Sequence, residues 1–299
     1  LAWMKDRIDA KEPYFAYISL NAPHGPMIAP EKYTKRFLNA GYDEKTAGRY
    51  GMIENIDDNI GLTMAKLKEW NQLENTLVIF MTDNGMAGAT GVQNGKKFNS
   101  FNCGMKGAKA TVHEGGTRVP SFWHWKGRLK EGVDIDALTA HIDFYRTMCQ
   151  LAGAKVPESK LPPKGRTLLP LLQNPKGKWK DRTLFFHRGR WNDETWDFEA
   201  MEKHRYLNAA ARSTKWRWID NKYLYDIEND PGQAKNLATT KPEVMAKLKK
   251  QYDAWWDTLG PYQVNEGKEA IEKGNFPLQK RYQARIRLGE LPLWSPKPI

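Results

Sequence analysis

Two apolar runs in this chain each end abruptly in polar residues. Residues 14–20 (YFAYISL) lead into a loop that contains His24, and residues 76–82 (TLVIFMT) lead directly into Asp83 and Asn84. An apolar run that stops at an acid or an amide is typical of a buried parallel strand with a site at its carboxyl end. We therefore predict that these three polar side chains lie at one edge of a common sheet. Carboxylate and amide oxygens beside an imidazole indicate a hard-metal site that acts on an anionic group.

The pattern around these two runs predicts an α/β domain. Apolar residues recur at three- and four-residue steps from 46 to 71, which predicts a helix that covers the sheet. Further patterns predict a strand at 119–125 and a helix at 139–151. Six glycines between residues 85 and 107 predict a long loop without regular structure, a kind of loop that is often functional in compact domains.

The pattern changes at about residue 180. Short strand candidates separated by turn residues predict an antiparallel meander, at 183–187, 207–212, 216–219 and 222–225. Pro242 opens a predicted helix that runs through Trp256. The last forty residues hold five prolines and many charges, which predicts an extended tail. We divide the chain into residues 1–178, a subdomain at 179–260 and a tail at 261–299.

Charge and cysteine content narrow the functional classes. The net charge of +12 comes from dispersed lysines and arginines. Such a surface favours plain solvation or attraction to sulfated or phosphorylated substrates, and no nucleic-acid-binding motif accompanies it. No run of 18 apolar residues predicts a transmembrane helix. Cys103 and Cys149 lack CxxC spacing, so the sequence predicts neither a zinc ribbon nor a redox dithiol, and a disulfide between them is allowed but not required.

Several segments together resemble the sulfatase family of the alkaline-phosphatase-like superfamily. They are Asn21-Ala22-Pro23-His24, Thr82-Asp83-Asn84-Gly85, residues 109–120 (KATVHEGGTRVP), and Leu224-Tyr225-Asp226 with Asp230-Pro231. Asp-Asn-Gly alone is a weak signal, whereas the lysine before Glu-Gly-Gly and Arg-x-Pro, in this order, is specific. The resemblance covers most of residues 13–260 and matches the family's carboxyl-terminal half. It implies an alkaline-phosphatase-like α/β sandwich with a mostly parallel central sheet, followed by a small antiparallel carboxyl-terminal subdomain.

The resemblance also implies roles for individual residues. Asp83 and Asn84 resemble the second half of the family's calcium-binding set. His24 resembles the histidine that contacts the sulfate or the leaving-group oxygen. Lys109 resembles the lysine that neutralises the sulfate, and the neighbouring Lys106 competes for that role. The implied reaction is hydrolysis of an aryl or carbohydrate sulfate ester, in a periplasmic or extracellular protein.

One part of the family pattern is missing. Family members carry a Cys-x-Pro-x-Arg or Ser-x-Pro-x-Arg motif whose first residue becomes the formylglycine nucleophile, and neither Cys103, Cys149 nor any serine fits it. The family's first pair of metal-binding aspartates is also missing. Because the chain opens at Leu1 within a helical pattern and shows no signal peptide, we interpret it as a fragment whose partner is an amino-terminal half. The alternatives are a phosphodiesterase or phosphonate hydrolase of the same superfamily, and a non-catalytic truncated product or binding protein.

Structural interpretations stay open for the same residues. Asp83 and Asn84 could cap a turn, and His24 could be a hydrogen-bonded surface residue. Three other histidines have no ligand spacing and are predicted to be structural: His113, His124 and His141. The tryptophans at 179, 191, 196, 216 and 218 predict core and lid packing, with a sugar-stacking surface as the alternative.

Overall fold

The chain folds into two compact units in the computed structural model. The structure describes residues 1–87, 90–158, 163–189, 201–259, 287 and 289. The first unit comprises residues 1–109 and 113–181, and the second comprises 110–112 and the chain from 182 onward. In the described residues, no helix has both the length and the apolar character needed to cross a membrane.

The longest helix of the first unit forms where the apolar periodicity predicts it. The helices of this unit are α1 (Ala2–Asp9), α2 (Glu31–Asn39), α3 (Glu44–Glu69), α4 (Glu114–Thr117), α5 (Ile142–Leu151) and α6 (Leu169–Gln173). The side chain of Asp43 caps α3 by accepting the Thr46 N–H at 3.1 Å. The same hydrogen bonding lowers the pKa of the Asp43 carboxyl. The predictions of helices at 46–71 and 139–151 are thus confirmed, with ends shifted by a few residues.

The strands of the first unit pair only in antiparallel ladders among the described residues. Strand β1 (Val78–Met81) pairs with β4 (Ser121–His124), and β2 (Thr90–Gln93) pairs with β3 (Lys96–Asn99). Two predicted strands are confirmed, but the mostly parallel central sheet is not. The strand predicted at 14–20 is wrong for this structure, because no described segment pairs with its backbone and a strand needs a ladder partner.

The predicted structureless loop at 85–107 is also wrong in part, because it contains the β2–β3 hairpin. Asn94 and Gly95 form the turn with φ values of 50° and 74°. A two-residue hairpin turn of this hand needs positive φ at both positions, and Asn-Gly supplies them readily. The ring of Phe98 lies against Gly91, where a Cβ atom would come within 2.3 Å of it. Periodicity missed the hairpin because its strands are short and largely polar.

The second unit is a four-stranded antiparallel meander covered by one long helix, as predicted. Its elements are β5 (Leu184–His187), β6 (Ala209–Arg212), β7 (Trp216–Ile219), β8 (Tyr223–Asp226) and α7 (Pro242–Leu259), with the strands in the order β5-β6-β7-β8. Leu248, Tyr252 and Trp256 recur every fourth residue on one face of α7 and pack against Trp218. Of the tail predicted at 261–299, the structure describes residues 287 and 289 only. Trp191 and Trp196 also lie outside the described residues.

The other face of the meander holds residues 110–112. Val112 packs with Ala210, Ile219 and Tyr225 in a second buried cluster. Arg217 is buried and donates a hydrogen bond to the Val112 carbonyl. The segment that follows Lys109 is therefore part of the core of the second unit.

Candidate active site

The loop after β1 carries the two predicted metal ligands. The Asn84 N–H donates to Asp83 Oδ1 at 2.9 Å, and Asn84 Nδ2 donates to the Gly85 carbonyl at 3.0 Å. The Thr82 hydroxyl donates to the Asn84 carbonyl at 3.2 Å. Because the amide nitrogen of Asn84 is engaged, its oxygen is the end left without a donor among the described residues. The loop thus presents two side-chain oxygens, Asp83 Oδ2 and Asn84 Oδ1.

Gly85 and Gly115 allow the backbones of three loops to contact one another directly. The Gly85 N–H donates to the Gly116 carbonyl at 3.0 Å, and the Gly115 N–H donates to the Lys106 carbonyl at 2.8 Å. A Cβ atom on Gly85 would lie 1.9 Å from the Gly115 carbonyl oxygen, and one on Gly115 would lie 2.3 Å from the Gly107 oxygen. No side chain fits at either place. The Glu-Gly-Gly segment therefore has a structural role, which is to let these backbones approach each other.

Lys109 lies beside the loop that bears Asp83 and Asn84. Its N–H donates to the Met86 carbonyl at 2.8 Å. Its side chain is half-buried, and Nζ has no hydrogen bond or ion pair with the described residues. Lys106 is exposed by contrast. A backbone hydrogen bond therefore joins Lys109 to the loop that carries the candidate metal ligands.

His24 lies in a separate loop. Its N–H donates to the Asn21 carbonyl at 2.9 Å, and Nδ1 donates to the Gly25 carbonyl at 3.0 Å. The peptide bonds before Pro23 and Pro26 are cis. Within the described part of the chain, no hydrogen bond joins His24 to the other predicted site residues. Its place in the same site stays a prediction.

Two residues that sequence reasoning did not assign to the site hold its loops in place. His141 Nε2 donates to the Thr82 carbonyl at 2.7 Å, which fixes the proton on Nε2. Asn102 Nδ2 donates to the carbonyls of Met105 and Gly107, at 2.6 and 3.1 Å. His141 has no ligand spacing, and Asn102 is marked only by its place in a glycine-rich segment, so neither carries a strong sequence signal.

The donor set fits a hard divalent cation. Ca²⁺ prefers oxygen ligands such as carboxylates and amides, and its coordination number is about six to eight. Asp83 is exposed and Asn84 is half-buried. Among the described residues, no three His, Cys, Asp or Glu side chains converge on one point. Asp83 and Asn84 would therefore supply only part of the ligands that such an ion takes.

Solved structures with a similar fold include sulfatases and a phosphonate monoester hydrolase. The chain superimposes on the crystal structure of Ps i-CgsB in complex with k-i-k-neocarrahexaose with a TM-score of 0.72 and 26% identity, over 93% of this chain and 57% of that one. The fold is therefore that of the alkaline-phosphatase-like sulfatases. A sulfatase family model matches residues 2–154, and a model described as N-sulphoglucosamine sulphohydrolase, C-terminal, matches residues 107–256. The chain belongs to the sulfatase family.

Curated relatives agree with this family. Human N-acetylgalactosamine-6-sulfatase is 31% identical over 231 residues, which cover 76% of this chain and 39% of that protein. Human arylsulfatase A is 29% identical over 294 residues, which cover 89% of this chain and 54% of that protein. The chain thus spans about half, or less, of the length of these relatives.

Proposed function

We propose that this chain forms the calcium-binding and sulfate-binding part of an enzyme that hydrolyses sulfate esters. The observation that carries the proposal is the hydrogen bond from the Lys109 N–H to the Met86 carbonyl at 2.8 Å, two residues beyond Asn84. This bond joins the backbone of Lys109 to the loop that carries Asp83 and Asn84, which supports a site that combines a cationic side chain with two oxygen ligands. An anionic ester needs both kinds of group.

Each proposed residue has a distinct task. Asp83 and Asn84 hold Ca²⁺ through their side-chain oxygens, and the bound ion would polarise the sulfate ester. The ammonium of Lys109 acts as a point charge against the sulfate oxygens. Because Nδ1–H of His24 is held by the Gly25 carbonyl, Nε2 is the ring nitrogen that faces the departing oxygen in this proposal, and it donates a proton there when the ring is in its doubly protonated form.

The nucleophile in this proposal comes from outside the 299 residues. The chain lacks the motif that yields formylglycine, so a segment bearing Cys-x-Pro-x-Arg or Ser-x-Pro-x-Arg completes the enzyme. Such a segment is the proposed partner, and this chain is then one part of a longer, periplasmic or extracellular protein. The proposed substrate is a sulfated carbohydrate or a small aryl sulfate. The name of the relative N-acetylgalactosamine-6-sulfatase supports the carbohydrate.

Sulfate release tests this proposal. The purified chain and a completed form that carries the formylglycine segment are incubated with 4-nitrophenyl sulfate, a sulfated N-acetylgalactosamine and bis(4-nitrophenyl) phosphate. We expect no turnover by the chain alone and calcium-dependent sulfate release by the completed form. Turnover by the chain alone that Asp83→Ala abolishes would place the nucleophile within these residues. A preference for the phosphate diester would replace the sulfatase with a phosphodiesterase.

A further inference from the structure

Helix α5, residues 154–156 and the segment 165–167 line an open cavity of about 450 Å³ in the first unit. Arg146, Cys149 and Arg166 line it together with Val156 and Thr167. It shares no residue with the candidate active site. No acidic side chain of the described residues lines it.

Two buried side chains fix the walls of this cavity. The Asp143 carboxylate accepts the Arg166 N–H and the Ala140 N–H, both at 2.8 Å. Thr147 Oγ1 donates to the Asp143 carbonyl at 2.7 Å and accepts the Leu168 N–H at 2.9 Å. Asp143 and Thr147 are fully buried. These hydrogen bonds hold the segment 163–168 against α5, so the walls of the cavity are in place before a ligand binds.

The two arginines of the cavity have no carboxylate partner among the described residues. Arg146 donates from Nε and an η nitrogen to the Pro163 carbonyl, at 3.2 and 3.0 Å. Arg166 donates to the Lys180 carbonyl and lies 5.6 Å from the ring centroid of Trp179. Neither side chain forms an ion pair with a carboxylate of the described residues. Because each guanidinium has five N–H donors, each keeps donors beyond those held by carbonyls.

We propose that this cavity is a binding site for an oxyanion, the sulfate or carboxylate group of a small ligand. Guanidinium groups match the oxygen geometry of both anions. Anchoring by backbone carbonyls reduces the rotamer entropy that binding would otherwise cost. Val156 and Ala154 give the ligand an apolar wall. This proposal does not depend on the chain being part of an active sulfatase, because the cavity lies in a different part of the first unit from the candidate active site.

The two cysteines of the chain make a direct test of occupancy. Cys149 lines the cavity, whereas Cys103 is exposed elsewhere, and both are free thiols. The purified chain is labelled with N-ethylmaleimide in sodium sulfate or in sodium chloride of equal ionic strength, and each cysteine is followed by peptide mass spectrometry. At ten times the dissociation constant of sulfate, labelling of Cys149 should slow about tenfold, because only the unliganded fraction reacts. Labelling of Cys103 should not change. Sodium acetate in place of sulfate shows whether the site prefers a carboxylate.

Matched arginine variants separate a site from general charge screening. Arg166→Met should remove the protection of Cys149. Arg128→Met removes the same charge from an exposed arginine that stacks on Trp125 outside the cavity, and it should leave the protection intact. If Arg166→Met lowers the unfolding midpoint, Arg166→Lys replaces it, since lysine keeps the charge but not the fork of donors.

Titration calorimetry with sodium sulfate gives the same answer without the thiol. We expect one site per chain, lost in the Arg166 variant and kept in Arg128→Met. Equal labelling of Cys149 in sulfate, acetate and chloride, with no heat of binding for either anion, would overturn the proposal. Equal loss of protection in the Arg166 and Arg128 variants would overturn it as well.

Discussion

At the scale of single residues, the site depends on glycine as much as on its charged groups. Gly85 and Gly115 bring the loops that carry Asp83, Asn84 and Lys109 together through backbone hydrogen bonds. The sequence pattern predicts the ligands because polar residues end an apolar run. It could not predict the roles of Asn102 and His141, since these depend on which carbonyl lies opposite each side chain in the folded chain.

Gly85→Ala should destabilise the first unit. Its Cβ would lie 1.9 Å from the Gly115 carbonyl oxygen, so the backbone must shift, at a cost of about 1–3 kcal/mol in the free energy of unfolding. Gly61→Ala is the matched control, because Gly61 lies within α3 with nothing within 4 Å of a built Cβ. There alanine should stabilise by about 1 kcal/mol. Urea unfolding of both variants measures the difference, and a Gly85→Ala protein as stable as Gly61→Ala would contradict this account of the loops.

Lys109→Ala should lower the turnover of the completed form by roughly 10²- to 10³-fold, the scale for losing one donor to a developing oxyanion. Lys106→Ala should have little effect, because Lys106 is exposed whereas Lys109 is half-buried beside the ligand loop. Hydrolysis of 4-nitrophenyl sulfate by the two variants measures this contrast. The reverse order of effects would transfer the role to Lys106.

At the scale of elements, the sequence predicts an element well when the segments that pack or pair with it lie nearby in the chain. The meander and α7 are built from neighbouring segments, so turn residues and periodicity predict them well. Apolar periodicity does not predict the β2–β3 hairpin, because the turn at Asn94-Gly95 specifies the hairpin more strongly than its strands do. The predicted strand at 14–20 has the right composition, but composition does not supply a pairing partner.

His187, at the end of β5, should make the stability of the second unit sensitive to acid. His187 Nε2 donates to the His204 carbonyl at 3.0 Å, and Nδ1 accepts the Gly189 N–H at 3.1 Å, so the neutral ring fits best. Burial lowers the pKa of His187 below its ordinary value of 6.5. The unfolded chain therefore takes up the proton first as the pH falls. The stabilisation is present above pH 6.5 and is lost as the pH falls through 6.5 toward the folded-state pKa.

His187→Gln should reduce this acid sensitivity. The urea midpoint of the second unit, followed by tryptophan fluorescence, is compared on either side of the ordinary histidine pKa of about 6.5. The wild-type midpoint should fall more on acidification than that of the variant. An equal fall in the two proteins would show that other groups carry the acid response.

At the scale of the whole molecule, the chain exposes several large apolar side chains. Phe15, Tyr17 and Ile18 are 63%, 79% and 65% exposed, and Phe122 on β4 is 66% exposed. Residues 14–20 have no strand partner among the described residues. The family and its fold could be predicted from motifs, but the parallel sheet could not be confirmed.

The isolated chain should self-associate through this surface. Exposed apolar strand-forming segments pair with other chains. Tyr17→Lys with Ile18→Lys should lower the association, measured by light scattering and sedimentation. Phe101→Lys is the control, since Phe101 is 84% exposed but lies outside residues 14–20. A monodisperse wild-type monomer with a cooperative melt would count against this prediction.

The most direct test of the proposed site is the calcium dependence of sulfate release by the completed form and its Asp83→Ala variant. A carboxylate carries the charge that holds the ion, so Asp83→Ala should lose both turnover and its dependence on calcium. Lys109→Ala should turn over slowly but keep the calcium dependence of the unmodified enzyme. If Asp83→Ala instead hydrolyses 4-nitrophenyl sulfate at the unmodified rate with the same calcium dependence, Asp83 is not a ligand and the proposed site is wrong.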